Sequence, residues 1–273
     1  MIGCVGRIAN PPWSLAQLSY VTTRAQPGEG QAGYFCCGNL SIIPEEKGPT
    51  SWYISKWSRP LPELPEVETI VRELRPRLLG RRLNRVTVSR HPLRKPWQRE
   101  WERLLCGRRV AAVRRRGKWI IFDLDNQMHL LLHLGMTGQL TVKATREAAG
   151  AHTHLVFALD RGRHELRFRD VRRFGSATLF ADGRHLEDFF QETELGPEPF
   201  ELAGGYWKEQ LAKTSRCLKA VLLDQRVVAG VGNIYADESL FQARLHPAQL
   251  GRQTSGQEAG RLRRAIVQVL NRA

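Results

Sequence analysis

A chain of 273 residues, 42% of them hydrophobic, is long enough for two modest domains with real cores, yet it holds no run of about eighteen apolar residues that could cross a membrane. Its formal charge of +15 points to a polyanionic partner, with a merely solvated basic surface as the plainer alternative. Five scattered cysteines (Cys4, Cys36, Cys37, Cys106 and Cys217) include no C-x-x-C pair, which argues against a disulfide scaffold and a cysteine zinc site and suits a reduced cytoplasmic protein.

Residues 1–61 mix Gly, Pro, Ser and Trp in no period, with turn signals at Asn10-Pro11-Pro12 and Gly28-Glu29-Gly30. They lack an apolar centre behind a basic start, so no secretory signal is read there, and the segment is expected to be a poorly structured or non-native extension. A helix follows. Pro65 suits its first turn, Val67, Ile70, Val71, Leu74 and Leu78 fall on one face, Pro76 should bend its last turn, and Gly80 should end it.

From Arg82 to Phe180 the pattern changes to short apolar or alternating runs: 84–89, 109–115, 119–124, 129–134, 139–143, 154–159, 165–169 and 177–180. Short connections between them imply an antiparallel sandwich or barrel rather than a doubly wound sheet. In 108–116, arginines interleave with apolar residues, as on a folded basic face rather than a tail. After the Pro/Gly segment Leu195-Gly196-Pro197-Glu198-Pro199 the texture becomes helical, with candidates at 218–223, 237–244 and 258–270. The expected fold is therefore α+β: an antiparallel β-sandwich catalytic domain over 62–195, a hinge over 196–203, and an α-helical domain over 204–273.

Four stretches carry a resemblance. Pro62-Glu63-Leu64-Pro65-Glu66-Val67-Glu68-Thr69, His133-Leu134-Gly135-Met136-Thr137-Gly138, Asp170-Val171-Arg172-Arg173-Phe174-Gly175 and Gly230-Val231-Gly232-Asn233-Ile234-Tyr235-Ala236-Asp237-Glu238 occur in the order found in formamidopyrimidine-DNA glycosylases, bifunctional base-excision enzymes. The first resembles that family's mature N-terminus, the middle two its loops that fill the space left by a flipped base, and the last its helix–two-turn–helix. The Pro-Glu-Leu-Pro-Glu start resembles the formamidopyrimidine branch more than the endonuclease VIII branch.

The resemblance implies roles. Pro62, as a secondary amine, would attack the sugar C1′, displace the damaged base and leave an iminium that permits strand cleavage; on its own it reads as a turn-forming proline. Glu63 would be the acid that protonates the opening sugar, helped by burial or a like charge, and Glu66 could supply that charge or hold water. For Glu68, favourable charge at a helix N-terminus suffices. Lys118 would contact phosphate beside the lesion and assist elimination, against the simpler reading of an edge-strand lysine. Met136, Arg172 and Phe174 would fill the void, Arg172 reading the orphaned base, with core packing the alternative for Met136 and Phe174. Arg173, His152, Lys219 and Asn233 would bind the DNA backbone, Asn233 by opening a helix. His152 and His154 have metal-like spacing but no evident third ligand.

Two departures stand out. The family usually ends in a four-cysteine zinc finger, whose Zn²⁺ ligands this chain does not encode, so it resembles a member cut short, with weaker DNA binding and doubtful excision. Pro62 also lies within the chain, where it is a tertiary amide. Leu61 stands where the family has its initiator methionine, and a UUG or CUG start read through from upstream would write leucine there, so the native protein is expected to begin at Pro62. The expected partner is damaged double-stranded DNA, engaged by a monomer, with no membrane and no encoded cofactor. Rival readings are an oxidised-pyrimidine glycosylase and an inactive DNA-binding module.

Overall fold

The computed structural model describes residues 62–273, and the expectations made for residues 1–61 lie outside them. Helix α1 (Leu64–Leu78) opens behind Glu63, whose N–H donates to Glu66 Oε2 at 2.9 Å; this reciprocal hold fixes the first turn. Its apolar stripe Val67, Val71, Leu74 and Leu78 is buried, as the periodicity requires. The helix stops at Leu78, and Gly80 turns the chain with φ +77°, a left-handed conformation that suits glycine.

Eight antiparallel strands follow: β1 (Arg82–Val88), β2 (Arg108–Arg116), β3 (Trp119–Leu124), β4 (His129–His133), β5 (Gln139–Ala144), β6 (Thr153–Leu159), β7 (His164–Arg169) and β8 (Ser176–Phe180). Their order is β5-β7-β6-β1-β2-β3-β4-β8. β1 and β2 are joined only through Arg82↔Arg109 and Leu83↔Arg108, so the sheet folds there into two four-stranded leaves. One core takes Val86, Leu155, Phe157 and Phe168 from the first leaf, Val113, Ile120, Phe122 and Leu132 from the second, and the buried face of α1. That is the sandwich expected from the alternating runs.

Three helices depart from the expected elements. α2 (Glu100–Leu105) is a six-residue segment buried through Trp101 and Leu105, too short to show a period. α3 (Gly183–Glu192) is capped by Asp182, which accepts from the His185 N–H at 2.9 Å. Its many charges hide the helix in the sequence, yet Leu186 and Phe190 cover Ile121 and Leu131 on the outer face of the second leaf. That cover explains why β3 is apolar on both sides. α4 (Gly204–Ala212) begins with two glycines, poor helix formers, and is held by Trp207 and Leu211.

The helical part continues with α5 (Leu218–Leu223), α6 (Asn233–Ala243) and α7 (Gly256–Arg272), which starts in a Ser255/Glu258 capping box. α6 starts four residues earlier than the apolar pattern indicated. The core of this part includes Leu64 from α1. The Leu64 N–H donates to the Gly230 carbonyl at 3.0 Å, so the start of α1 is pinned to the helical half while its body lies in the sandwich.

Candidate active site

Glu63 is buried, and the start of α6 reaches across to its carboxylate with three donors. The backbone N–H groups of Gly232 (2.8 Å), Ile234 (2.9 Å) and Tyr235 (3.3 Å) all donate to it. A helix N-terminus carries unpaired N–H groups and a positive dipole end, and here a carboxylate from the other half of the molecule fills that place. Glu66 stands beside it, accepting the Glu63 N–H and, at 2.6 Å, the Tyr235 hydroxyl. Burial first, then the Glu66 and Glu63 charges, raises the Tyr235 phenol well above its ordinary range, so it remains a donor. Pro62, half-buried, comes directly before this arrangement. Glu68 is instead a structural ion-pair partner, bound to Arg72 at 2.9 Å and Arg115 at 3.0 Å.

Lys118 lies in the turn between β2 and β3. Gly117, with φ +55°, packs there so closely on Ala229 and Gly230 that a β-carbon would stand 3.3 Å from the Ala229 side chain. The turn therefore abuts the loop leading into α6, and Lys118 is half-buried near both carboxylates. Burial lowers its pKa, and the Glu63 and Glu66 charges oppose that shift. His133 joins this corner. It pairs across the strands with Trp119, and its ring stacks edge-on to that indole at 4.7 Å. Burial, then the charges of Lys118 and Arg94, push its pKa down to about 4. The Gly135 N–H donates to Nδ1 at 3.0 Å, leaving the ring proton on Nε2, so His133 is a neutral imidazole with one N–H to offer.

The two loops bearing Met136, Arg172 and Phe174 are built as one unit around the buried Asp170. Its carboxylate accepts from the Thr137 hydroxyl at 2.5 Å, the Arg172 N–H at 3.2 Å and the Gly175 N–H at 2.7 Å. At Gly135, φ is +64° and a β-carbon would fall 2.5 Å from the Phe174 carbonyl carbon, so the loops touch backbone to backbone. Arg172 and Phe174 are exposed, with the guanidinium 4.7 Å from the ring centroid, and Met136 is half-buried. Phe174 is thus outside the apolar core, the alternative considered for it.

The remaining candidates fall into two groups. His152 (φ +66°) and Arg173 (φ +58°) are exposed at the same end of the sandwich, where the His152 carbonyl accepts the Asp170 N–H at 2.9 Å. His154 is a satisfied core histidine, bonded to Ser89 Oγ at 2.9 Å and to the Asp170 carbonyl at 2.9 Å. The metal reading of the His152/His154 pair fails, because one ring is buried with both nitrogens occupied. Asn233 is the first, exposed residue of α6. Lys219 is paired with Asp237 at 2.8 Å, so an incoming phosphate would share it.

Residues 61–177 match the family model for the formamidopyrimidine-DNA glycosylase N-terminal domain, and 195–273 match that for the formamidopyrimidine-DNA glycosylase H2TH domain. The formamidopyrimidine-DNA glycosylase of Carboxydothermus hydrogenoformans is 40% identical over 213 residues, 77% of this chain and 76% of that protein. The one from Novosphingobium aromaticivorans is 42% identical over 214 residues, 77% of each chain. The chain belongs to the formamidopyrimidine-DNA glycosylase family. Among solved structures, a complex between Lactococcus lactis Fpg and DNA containing an abasic site superposes with a TM-score of 0.73 at 31% identity, over 77% of this chain and 78% of that one. Family membership makes this a base-excision repair glycosylase of α+β fold.

A family zinc site finds no match among the described residues. Cys106, exposed at the end of α2, and half-buried Cys217, before α5, lie in separate elements, and no group of three or more metal-binding side chains is gathered. Nor is any described helix long and apolar enough to cross a membrane. Sequence reasoning gave no role to His133, Asp170 or Tyr235, although all three lie within the motifs it quoted. The available signal was their chemistry: an imidazole, a carboxylate and a phenol close to the glycines of those motifs.

Proposed function

We propose that the chain excises oxidised purines, 8-oxoguanine and formamidopyrimidines, from duplex DNA through a Pro62 Schiff base and then cleaves the abasic strand. What carries this reading is the gathering of Glu63, Glu66, Lys118 and His133 around the turn that follows Pro62. The Pro62 nitrogen attacks C1′, the glycosidic bond breaks, and the base leaves with its electron pair and is protonated by water. Glu63 takes the proton lost by the amine and returns it to the ring oxygen as the sugar opens, leaving an iminium between Pro62 and C1′. The iminium acidifies C2′; water takes that proton, its electron pair forms the C2′=C3′ bond and the 3′-phosphate leaves, with Lys118 and the His133 Nε2–H holding phosphate oxygens.

The nitrogen acts only as a free secondary amine, so the active form has Pro62 as its first residue. Met136, Arg172 and Phe174 enter the space the base leaves, while His152, Arg173, Lys219 and Asn233 hold the backbone. Double-stranded damaged DNA as the partner follows the solved relative, which is bound to abasic-site DNA. Borohydride trapping on an abasic duplex tests the mechanism: protein beginning at Pro62 should give a covalent adduct, and the same protein with Leu61 retained should give none. Equal trapping by both, or by neither, would remove Pro62 from the chemistry. Faster release of thymine glycol than of 8-oxoguanine would move the substrate to oxidised pyrimidines.

A further inference from the structure

The end of the sandwich opposite the active site is densely cationic. β2 and α1 both run between the two ends, and at about 3.3 Å per strand residue Arg108 lies roughly 25 Å from the Lys118 turn. At that far end Arg82 pairs with Arg109 and Leu83 with Arg108 across the β1–β2 junction. Carbonyls at the ends of α1 and α2 fix the guanidinium groups: Arg109 donates to Gly80 at 2.8 Å, Arg82 to Gly107 at 2.8 Å, and Arg108 to Leu104 at 3.3 Å. Arg81 stands beside His164 at 3.5 Å. Arg85, Arg161 and Arg163 are exposed alongside and take no part in these anchors. Of the nearby carboxylates, Asp160 takes Arg81 at 3.4 Å, Glu165 is turned to Arg167 at 2.9 Å, and Asp125 is exposed beside Arg109.

We propose that this arginine-rich end is a second nucleic-acid surface, which binds the phosphate backbone of a duplex other than the one in the active site. Each anchored arginine spends one N–H donor on a carbonyl and keeps others, so the cations are held in place but still available. An acidic protein would want an apolar centre to its interface, and of the large apolar side chains exposed among the described residues only Leu79 lies at this end. Phosphates need none, because release of their counterions drives binding. The distance from the cleft makes the second duplex a separate molecule or a distant segment, and the contact is blind to sequence and damage.

The test counts duplexes per protein by native mass spectrometry, using the active form that begins at Pro62, an abasic duplex and an excess of undamaged duplex at low salt. Wild type should carry two duplexes, and R85Q/R161Q/R163Q should carry one, with second-duplex affinity down about tenfold or more. Wild type holding a single duplex, or the variant holding two as tightly, would overturn the proposal. Stronger capture of polyglutamate than of duplex would overturn it in favour of an acidic protein. Borohydride trapping of the abasic duplex should be equal in the two proteins. Its absence from both would count against the proposed catalysis alone, since the stoichiometry is read without it.

Discussion

Gly232 shows how tightly the catalytic corner is fitted. Its backbone is extended, with φ −126°, so alanine meets no conformational penalty there. A β-carbon, however, would fall 2.3 Å from the Glu63 carboxyl carbon and 2.5 Å from Oε1. Gly232→Ala must therefore push Glu63 off its three N–H donors, and a displacement of that size should slow excision about a hundredfold. Single-turnover base release, with thermal melting to confirm folding, measures it; near-normal release would take Glu63 out of the chemistry. His133 makes a second residue-scale prediction. Its pKa falls from 6.5 to about 4 in the fold, so between those values the unfolded chain binds more protons. Stability is then fully present above pH 6.5 and is lost as pH falls through about 4, a contribution on the order of 2–3 kcal/mol. Urea unfolding at pH 7 and pH 4 should show His133→Gln losing that much less than wild type on acidification. Equal losses would mean that His133 is not held neutral.

At the scale of elements, the two void-filling loops act as one because Asp170 ties them together. Asp170→Ala leaves the Thr137 hydroxyl and the Arg172 and Gly175 N–H groups without their shared acceptor in a buried place. The wedge should then lose its fixed geometry, and preference for lesion-containing over undamaged duplex should drop about tenfold or more. Competition binding reads this directly, and an unchanged preference would show that the loops find their places without Asp170. Much of this level was legible beforehand. Alternation gave the strands, the 3.6-residue stripe gave α1, and the two loop motifs stood out as Gly-flanked apolar and cationic residues. What escaped were features that exist only between elements. α3 is recognisable as a helix once Ile121 and Leu131 need cover. The cradle for Glu63 joins residues 169 to 172 positions apart, which no local pattern signals. Tyr235 gains its part only through the hydroxyl it donates to Glu66, 169 positions away.

The whole molecule is held in register by Glu198, in the segment that joins sandwich to helices. One oxygen accepts the Gly117 N–H at 2.6 Å and Arg116 at 3.1 Å, and the other accepts Arg115 at 2.8 Å. Arg116 also donates to the Gly196 carbonyl at 2.7 Å, and Arg115 reaches Glu68 on α1 at 3.0 Å. The β2–β3 turn that bears Lys118, helix α1 and the connecting segment are thus bound through one carboxylate. The side chains of Arg115 and Glu198 are only 10% and 13% exposed, so removing the acid leaves the desolvated Arg115 guanidinium with Glu68 as its one remaining carboxylate and the Gly117 N–H unpaired. Glu198→Ala should cost about 2–4 kcal/mol. For a chain of this size that lowers the melting temperature by about 5–10 °C. The Lys213–Glu209 pair on α4, with side chains 67% and 57% exposed, provides the contrast: Lys213→Ala should change stability by no more than about 0.5 kcal/mol. Because Gly117 precedes Lys118, the loosened turn should also slow strand cleavage of a pre-formed abasic site in Glu198→Ala at temperatures where the variant is fully folded, and Lys213→Ala should leave that rate alone. Calorimetry and a cleavage time course on the same two variants check both halves. If Glu198→Ala melts like wild type, or melts early yet cleaves at the normal rate when folded, the joint does not position Lys118.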